Sequence, residues 1–193
     1  MSAPPRPGLD ADAVVAATRR WLERAVIGLN LCPFAKGVHV KEQIRYAVSG
    51  AQSEEELLAD LGRELQFLAD ADPRTCDTTL LIHPLALQDF LDYNAFLDLA
   101  DAVVEALGLE GVLQVASFHP DYQFAGTAPD DVTNFTNRSP YPTLHLLRED
   151  SIDRAVEAFP DAEGIYETNM RTLRRLGTAG WHALMQGPDP GSH

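Results

Sequence analysis

Cysteine is scarce in this chain: Cys32 and Cys76 are the two in 193 residues. Two thiols so far apart match neither a disulfide framework, nor a Cys-x-x-Cys redox pair, nor a zinc ribbon, and a reducing compartment is the easier setting. Long apolar runs are missing as well. No window approaches the roughly 20 uninterrupted apolar residues of a membrane span, and the opening MSAPPRPGLDADA holds no apolar stretch of signal-peptide length. The reading is a soluble cytoplasmic protein with no membrane partner. Cations are few, 15 Lys and Arg against 29 Asp and Glu, for a formal charge of −14 and a pI near 4.6. Affinity for nucleic acid comes mainly from Lys and Arg displacing condensed cations. Here no basic run exceeds the pairs Arg19-Arg20 and Arg174-Arg175, so nucleic acid is not an expected partner. The P-loop signature, the dinucleotide fingerprint, HExxH, GxSxG and the EF-hand loop are all missing, which removes the main nucleotide-dependent and zincin-type readings. The cofactor stays unknown, and so does the oligomeric state.

What is present suffices for one hydrophobic core: 45% of the residues are hydrophobic, and no internal repeat or long linker divides the chain. The Pro- and Gly-rich ends, residues 1–9 and 181–193, read as flexible tails on a single globular domain at 10–180. From Asp10, Val14, Thr18, Trp21, Leu22, Ala25 and Val26 recur at helical spacing, with Arg19, Arg20, Glu23 and Arg24 on the other side, up to about Gly28. A turn, LCPFAKG, leads to a β-prone run at Ile44–Ser49. Ser53 with Glu56 is a capping-box pattern opening a helix through Leu68. Thr78–Pro84 reads as a central strand buried on both faces, Leu87–Gly108 as a long helix, and Val112–Pro120 as a second central strand. A polar loop at 121–142 precedes a fourth strand, Thr143–Glu149, and two shorter helices at 151–159 and 165–176. Strand–helix–strand–helix–strand makes the first three strands parallel, and the fourth returns antiparallel. The expected fold is α/β (or α+β), a small mixed four-stranded sheet with packed helices, of open strand order.

Two strands end in the same way, at His83-Pro84 and His119-Pro120. Proline holds the preceding residue extended and removes a ladder donor, so each histidine marks the last position of a strand. Parallel strands put both imidazoles on one rim, the edge where open sheets bind ligands. A rim imidazole packs little into the core. The loop leaves and rejoins this rim carrying Tyr122, Asn134, Asn137 and Arg138, and the planar fork of Arg138 suits a carboxylate or phosphate as well as a backbone carbonyl. Arg45, between Ile44 and Tyr46, invites the same two readings. Cys32, before Pro33 and near Lys36, is either an activated thiol or a small buried one. His145, between Leu144 and Leu146, suits a satisfied core histidine better than a ligand.

Four blocks, WLERAVIGLNLCPFA, TTLLIHP, VASFHPDYQFAG and NRSPYPTLHLLRE, resemble a bacterial family catalogued as a domain of unknown function, number one-four-one-five, and the resemblance as a whole covers about residues 13 to 176. The blocks contain Cys32, His83, His119, Asn137, Arg138 and His145. The resemblance implies a family and no particular reaction.

Three functions follow as expectations. The first is an enzyme acting on a small anionic substrate, with His119 as general base or acid, His83 or Cys32 as companion, and Arg138, Asn137, Asn134 and Tyr122 binding the substrate. The second is a metal site drawn from Cys32, His83, His119 and His145, whose weakness is the absence of any closely spaced ligand pair. The third is a non-catalytic domain holding a metabolite or a protein partner.

Overall fold

A run without polar alternation has to be covered on both faces, and Thr78–Ile82 (β2) is: all five residues are buried. The computed structural model describes residues 8–159 and 164–187. On one side of β2 lies β1 (Ile44–Val48), parallel to it, and on the other β4 (Thr143–Arg148), antiparallel; β3 (Leu113–Phe118) pairs with the far side of β4. The order is β1-β2-β4-β3. Strand directions are those expected, with β1, β2 and β3 running one way and β4 against them. β3 is not central, however. β4 is inserted between it and β2, and from Gln114 onward β3 has the partial exposure of an edge strand.

The two-residue period of the strands sorts their side chains into two layers. Ala47, Leu81, Leu144 and Leu146 point to α3 (Glu54–Asp70) and α4 (Phe90–Ala106), where Leu57, Leu61, Leu65 and Phe96 complete one core. Leu80 and Ile82 point the other way, to Val14 of α1 (Ala11–Trp21). A second cluster on that side joins Trp21, Leu22, Phe135, Leu173 and Trp181, and α6 (Gly164–Gln186) closes it. Together these elements form one compact domain.

Several boundaries differ from the sequence pattern for local reasons. α1 passes into a π-helical turn, Leu22–Ile27, and this departure from a 3.6-residue period buries Arg24, which donates to the Met185 carbonyl at 2.7 Å. The expected turn at LCPFAKG contains a short helix, α2 (Ala35–Val40). At the start of α3, Ser53 Oγ accepts from Glu56 N–H at 3.2 Å, but the Glu56 carboxylate reaches Gln52 N–H instead of Ser53. α4 begins at Phe90 because Leu87 is left-handed (φ 55) and Asp89 caps the amides of Leu91 and Asp92. The loop holds a 3-10 turn, Val132–Asn137, and α5 (Glu149–Ala158) follows β4 directly. α6 breaks at Gly177 (φ 69) yet continues past the expected end of the domain at 180, since Trp181 is buried against Phe135, ring centroids 4.8 Å apart. The greater part of the expected tails, residues 1–7 and 188–193, lies outside the described residues. Among the described residues no helix is long and apolar enough to cross a membrane.

Candidate functional site

His83 and His119 follow β2 and β3 at one edge of the sheet, as their prolines imply. Neither is an open rim group, because both are fully buried. His119 Nδ1 accepts from Asp121 N–H at 3.0 Å, which leaves Nε2 to carry the proton and donate to the Leu87 carbonyl at 3.0 Å. His83 Nδ1 donates to the Ala86 carbonyl at 3.0 Å, and its buried Nε2 has no partner among the described residues. Both imidazoles thus clamp the 84–88 turn, including strained Leu87. Burial, countered in part by the Ala86 bond and reinforced by the nearby His119, holds the His83 pKa down at about 4. Burial lowers that of His119 also. Tyr93 of α4 lies against both rings, its hydroxyl accepting from Phe118 N–H at 3.0 Å and donating to the Thr143 carbonyl at 2.7 Å. Sequence reasoning missed Tyr93. The available signal was Phe90, Tyr93 and Phe96 at a helical spacing of three.

The loop leaves β3 and rejoins β4 at this edge, as antiparallel neighbours require, but its polar side chains turn onto the loop itself. Fully buried Asn134 accepts from Phe124 N–H at 3.0 Å and Thr127 Oγ1 at 2.8 Å, and donates to the Ala128 carbonyl at 2.9 Å. Asn137 donates to the Ser117 carbonyl, while Arg138 donates to the carbonyls of Tyr122 at 3.1 Å and Pro129 at 2.6 Å. The Tyr122 ring packs on Phe90 and Phe124. The carbonyl-tying reading of Arg138 is the one this geometry matches.

Cys32 does not join the histidines. It packs in the cluster of Trp21, Phe135 and Leu173, on the sheet face opposite α3 and α4, where burial raises its thiol pKa. His145 shares that opposite face, beside Leu80 and Ala116. Thr78 Oγ1 donates to the Leu146 carbonyl at 2.6 Å, so the 2.8 Å contact with His145 Nε2 is a bond donated by the histidine. Burial holds the His145 pKa at about 4. The four candidate metal ligands therefore fall on two faces of the sheet. Among the described residues no three His, Cys, Asp or Glu side chains stand together as a metal site.

Open space lies along β1 instead. Ser49 N–H donates to the Ile82 carbonyl at 2.7 Å, and the Gln43 carbonyl accepts from Asp77 and Thr78. Alternation then turns the backbone groups of Arg45 and Ala47 toward β2 and those of Ile44, Tyr46 and Val48 outward. Among the described residues these outward groups have no partner. An open groove of about 500 Å³ lies beside Ile44, Arg45 and Tyr46, between Val15 and Arg19 of α1 and Phe67 of α3. A smaller cavity of about 80 Å³ adjoins it at Ser49, Asp60 and Glu64. Two guanidinium groups stack on rings there: Arg19 lies 4.6 Å above Tyr46, and Arg45 lies 4.3 Å from Phe67. Arg45 also forks onto the buried carboxylate of Glu64, at 2.7 and 3.1 Å, so it is tied into the fold. Arg19 is exposed, and among the described residues no carboxylate lies within ion-pair distance of it.

A family model described as "Protein of unknown function (DUF1415)" matches residues 13–183. No curated protein and no solved structure matches the chain.

Proposed function

Since the chain belongs to the DUF1415 family, whose description leaves its function open, we propose from its geometry that it is a non-catalytic binding domain taking an anionic ligand in the groove along β1. The same reading places it in a bacterial cytoplasm, without nucleic acid among its partners. One observation carries it: in a chain of net charge −14, the exposed guanidinium of Arg19 stands over the Tyr46 ring, 4.6 Å from its centroid, and lines a groove of about 500 Å³. A guanidinium oriented on a ring keeps its N–H fork free for carboxylate or phosphate.

The competing enzyme reading asks His119 to exchange a proton through a nitrogen already bonded to Asp121 or Leu87. With Cys32 instead of His83 as companion, it also asks that thiol to act from the other side of the sheet.

Amide spectra of the full chain, titrated with inorganic phosphate, citrate and glutarate, test the proposal. The expected result is saturable shifts around Arg19 and Tyr46 with at least one of these anions, lost in Arg19→Ala. Shifts confined to the surroundings of His83 and His119, or no saturable shift with any anion, would overturn it.

A further inference from the structure

Resting on that groove as the binding surface, we infer that its occupant is an extended acidic segment of another protein, added to the sheet as a fifth strand beside β1. The first ground is the pattern of unpaired groups. Ile44, Tyr46 and Val48 present N–H donors and carbonyl acceptors in alternation. An anion made of acceptors alone matches only half of that pattern, whereas another backbone in extended conformation matches all of it. The strand spans five residues, a length of roughly 16 Å, and the flanking Val15 and Phe67 recess its edge between two helices. Such recession blocks broad edge-to-edge association while leaving room for one strand.

The second ground is the chemistry of the two walls. An added strand points alternate side chains to each face of the sheet. On the α1 face they meet Arg19 and Tyr46, and a carboxylate there complements a cation that has no ion-pair partner among the described residues. On the α3 face they meet half-exposed Phe67 and Arg45, whose charge Glu64 already balances, and an apolar side chain fits. The occupant therefore alternates acidic and apolar residues. A second copy of this chain is a poor occupant: antiparallel pairing of β1 with itself brings Arg19 toward Arg19 on one face and Arg45 toward Arg45 on the other. It does so between two chains of −14 each.

The probe is the capped peptide Val-Glu-Val-Glu-Val-Glu-Val, with two controls: its Glu-to-Lys counterpart, and a version N-methylated at alternate peptide bonds on the pairing edge. Added to the full chain, the acidic peptide is expected to give saturable shifts and slowed hydrogen exchange at the amides of Ile44, Tyr46 and Val48. The lysine and N-methylated peptides are expected to bind at least tenfold more weakly. Arg19→Glu, a change at an exposed helix position whose fold a thermal melt verifies, should weaken the acidic peptide at least tenfold and favour the lysine one. No saturable binding, or binding indifferent to N-methylation, would overturn the strand. So would a dimer in sedimentation whose β1 amides are already protected without peptide. If phosphate, citrate or glutarate still shifts Arg19 while the peptide does not, the added strand fails and the anion groove stands. If nothing shifts it, both fail.

Discussion

His83 and His119 end two parallel strands at the same edge of the sheet, and both rest on the ring of Tyr93, at centroid distances of 5.8 and 5.0 Å. What binds this trio is backbone. His83 holds Ala86, His119 holds Leu87 and Asp121, and Tyr93 joins Phe118 to Thr143. Five backbone groups of separate loops and strand ends are thus satisfied at this edge, and a buried one left unpaired would cost about 1–3 kcal/mol.

Replacing His119 by Ala accordingly leaves the Leu87 carbonyl and Asp121 amide without partners and opens a hole beside Phe90 and Tyr93. The expected loss of unfolding free energy is about 2–4 kcal/mol, measured by urea denaturation. A loss below about 0.5 kcal/mol, the range of ordinary surface changes, would mean that the imidazole does not hold these loops.

Acid should destabilise the fold through the same groups. His83 binds its proton near pH 4 when folded and near 6.5 when released, so between those values the unfolded chain carries more protons. Its contribution is fully present above 6.5 and is lost as pH falls toward 4, and it amounts to about 3 kcal/mol at most. His119 and His145 are shifted in the same direction. Urea midpoints followed from about pH 7 to pH 4.5 should fall more steeply in the parent chain than in His83→Gln, and equal slopes would contradict the assignment.

Strand types and directions were legible because they depend on local patterns. Five consecutive buried residues at Thr78–Ile82 and the His-Pro ends needed nothing beyond their neighbours. Strand order was not legible, since it is settled by which strand fills the gap beside β2, and β4, which fills it, is joined to β3 by a long loop whose own pattern does not say where it returns. The burial of the strand-end histidines was not legible for a related reason. A histidine at a strand end looks the same in sequence whether its nitrogens face solvent or the carbonyls of Ala86 and Leu87, and the left-handed turn at Leu87 that brings those carbonyls into reach leaves no compositional mark. The place of Arg45 between Ile44 and Tyr46 does not disclose its partner, because Glu64 lies on another element.

Cys32 should react slowly. Its thiol sits in the Trp21 and Phe135 cluster, and burial raises its pKa despite opposing backbone bonds at Phe34 and Ala35. The reactive species is the thiolate, so a raised pKa and restricted access both reduce the rate. Alkylation of the native chain by iodoacetamide at neutral pH should modify Cys32 more slowly than a model cysteine peptide. A faster reaction would restore it as a candidate nucleophile.

Arg148 offers the sharpest test of how this acidic chain accommodates a buried cation. Arg148 is 9% exposed and the two Nη2 hydrogens are shared among the carbonyls of Leu68 at 2.6 Å, Ala71 at 2.8 Å and Cys76 at 3.1 Å, while Nε has no partner among the described residues. Those carbonyls belong to the end of α3 and the turn after it, where the helix dipole is negative and α3 has no basic residue of its own in the last turn. The arginine therefore substitutes for a C-terminal cap delivered from the adjoining strand. Arg148→Met keeps most of the apolar stem but leaves three carbonyls short of a donor, for an expected loss of about 2–4 kcal/mol with faster amide exchange concentrated in the last turn of α3. Arg148→Lys retains the charge without the planar fork and should recover part of the loss. Replacing a buried charge by a hydrophobe sometimes stabilises a protein; if Arg148→Met does so here, the carbonyls of Leu68 and Ala71 find other donors, and the guanidinium is not what ends α3.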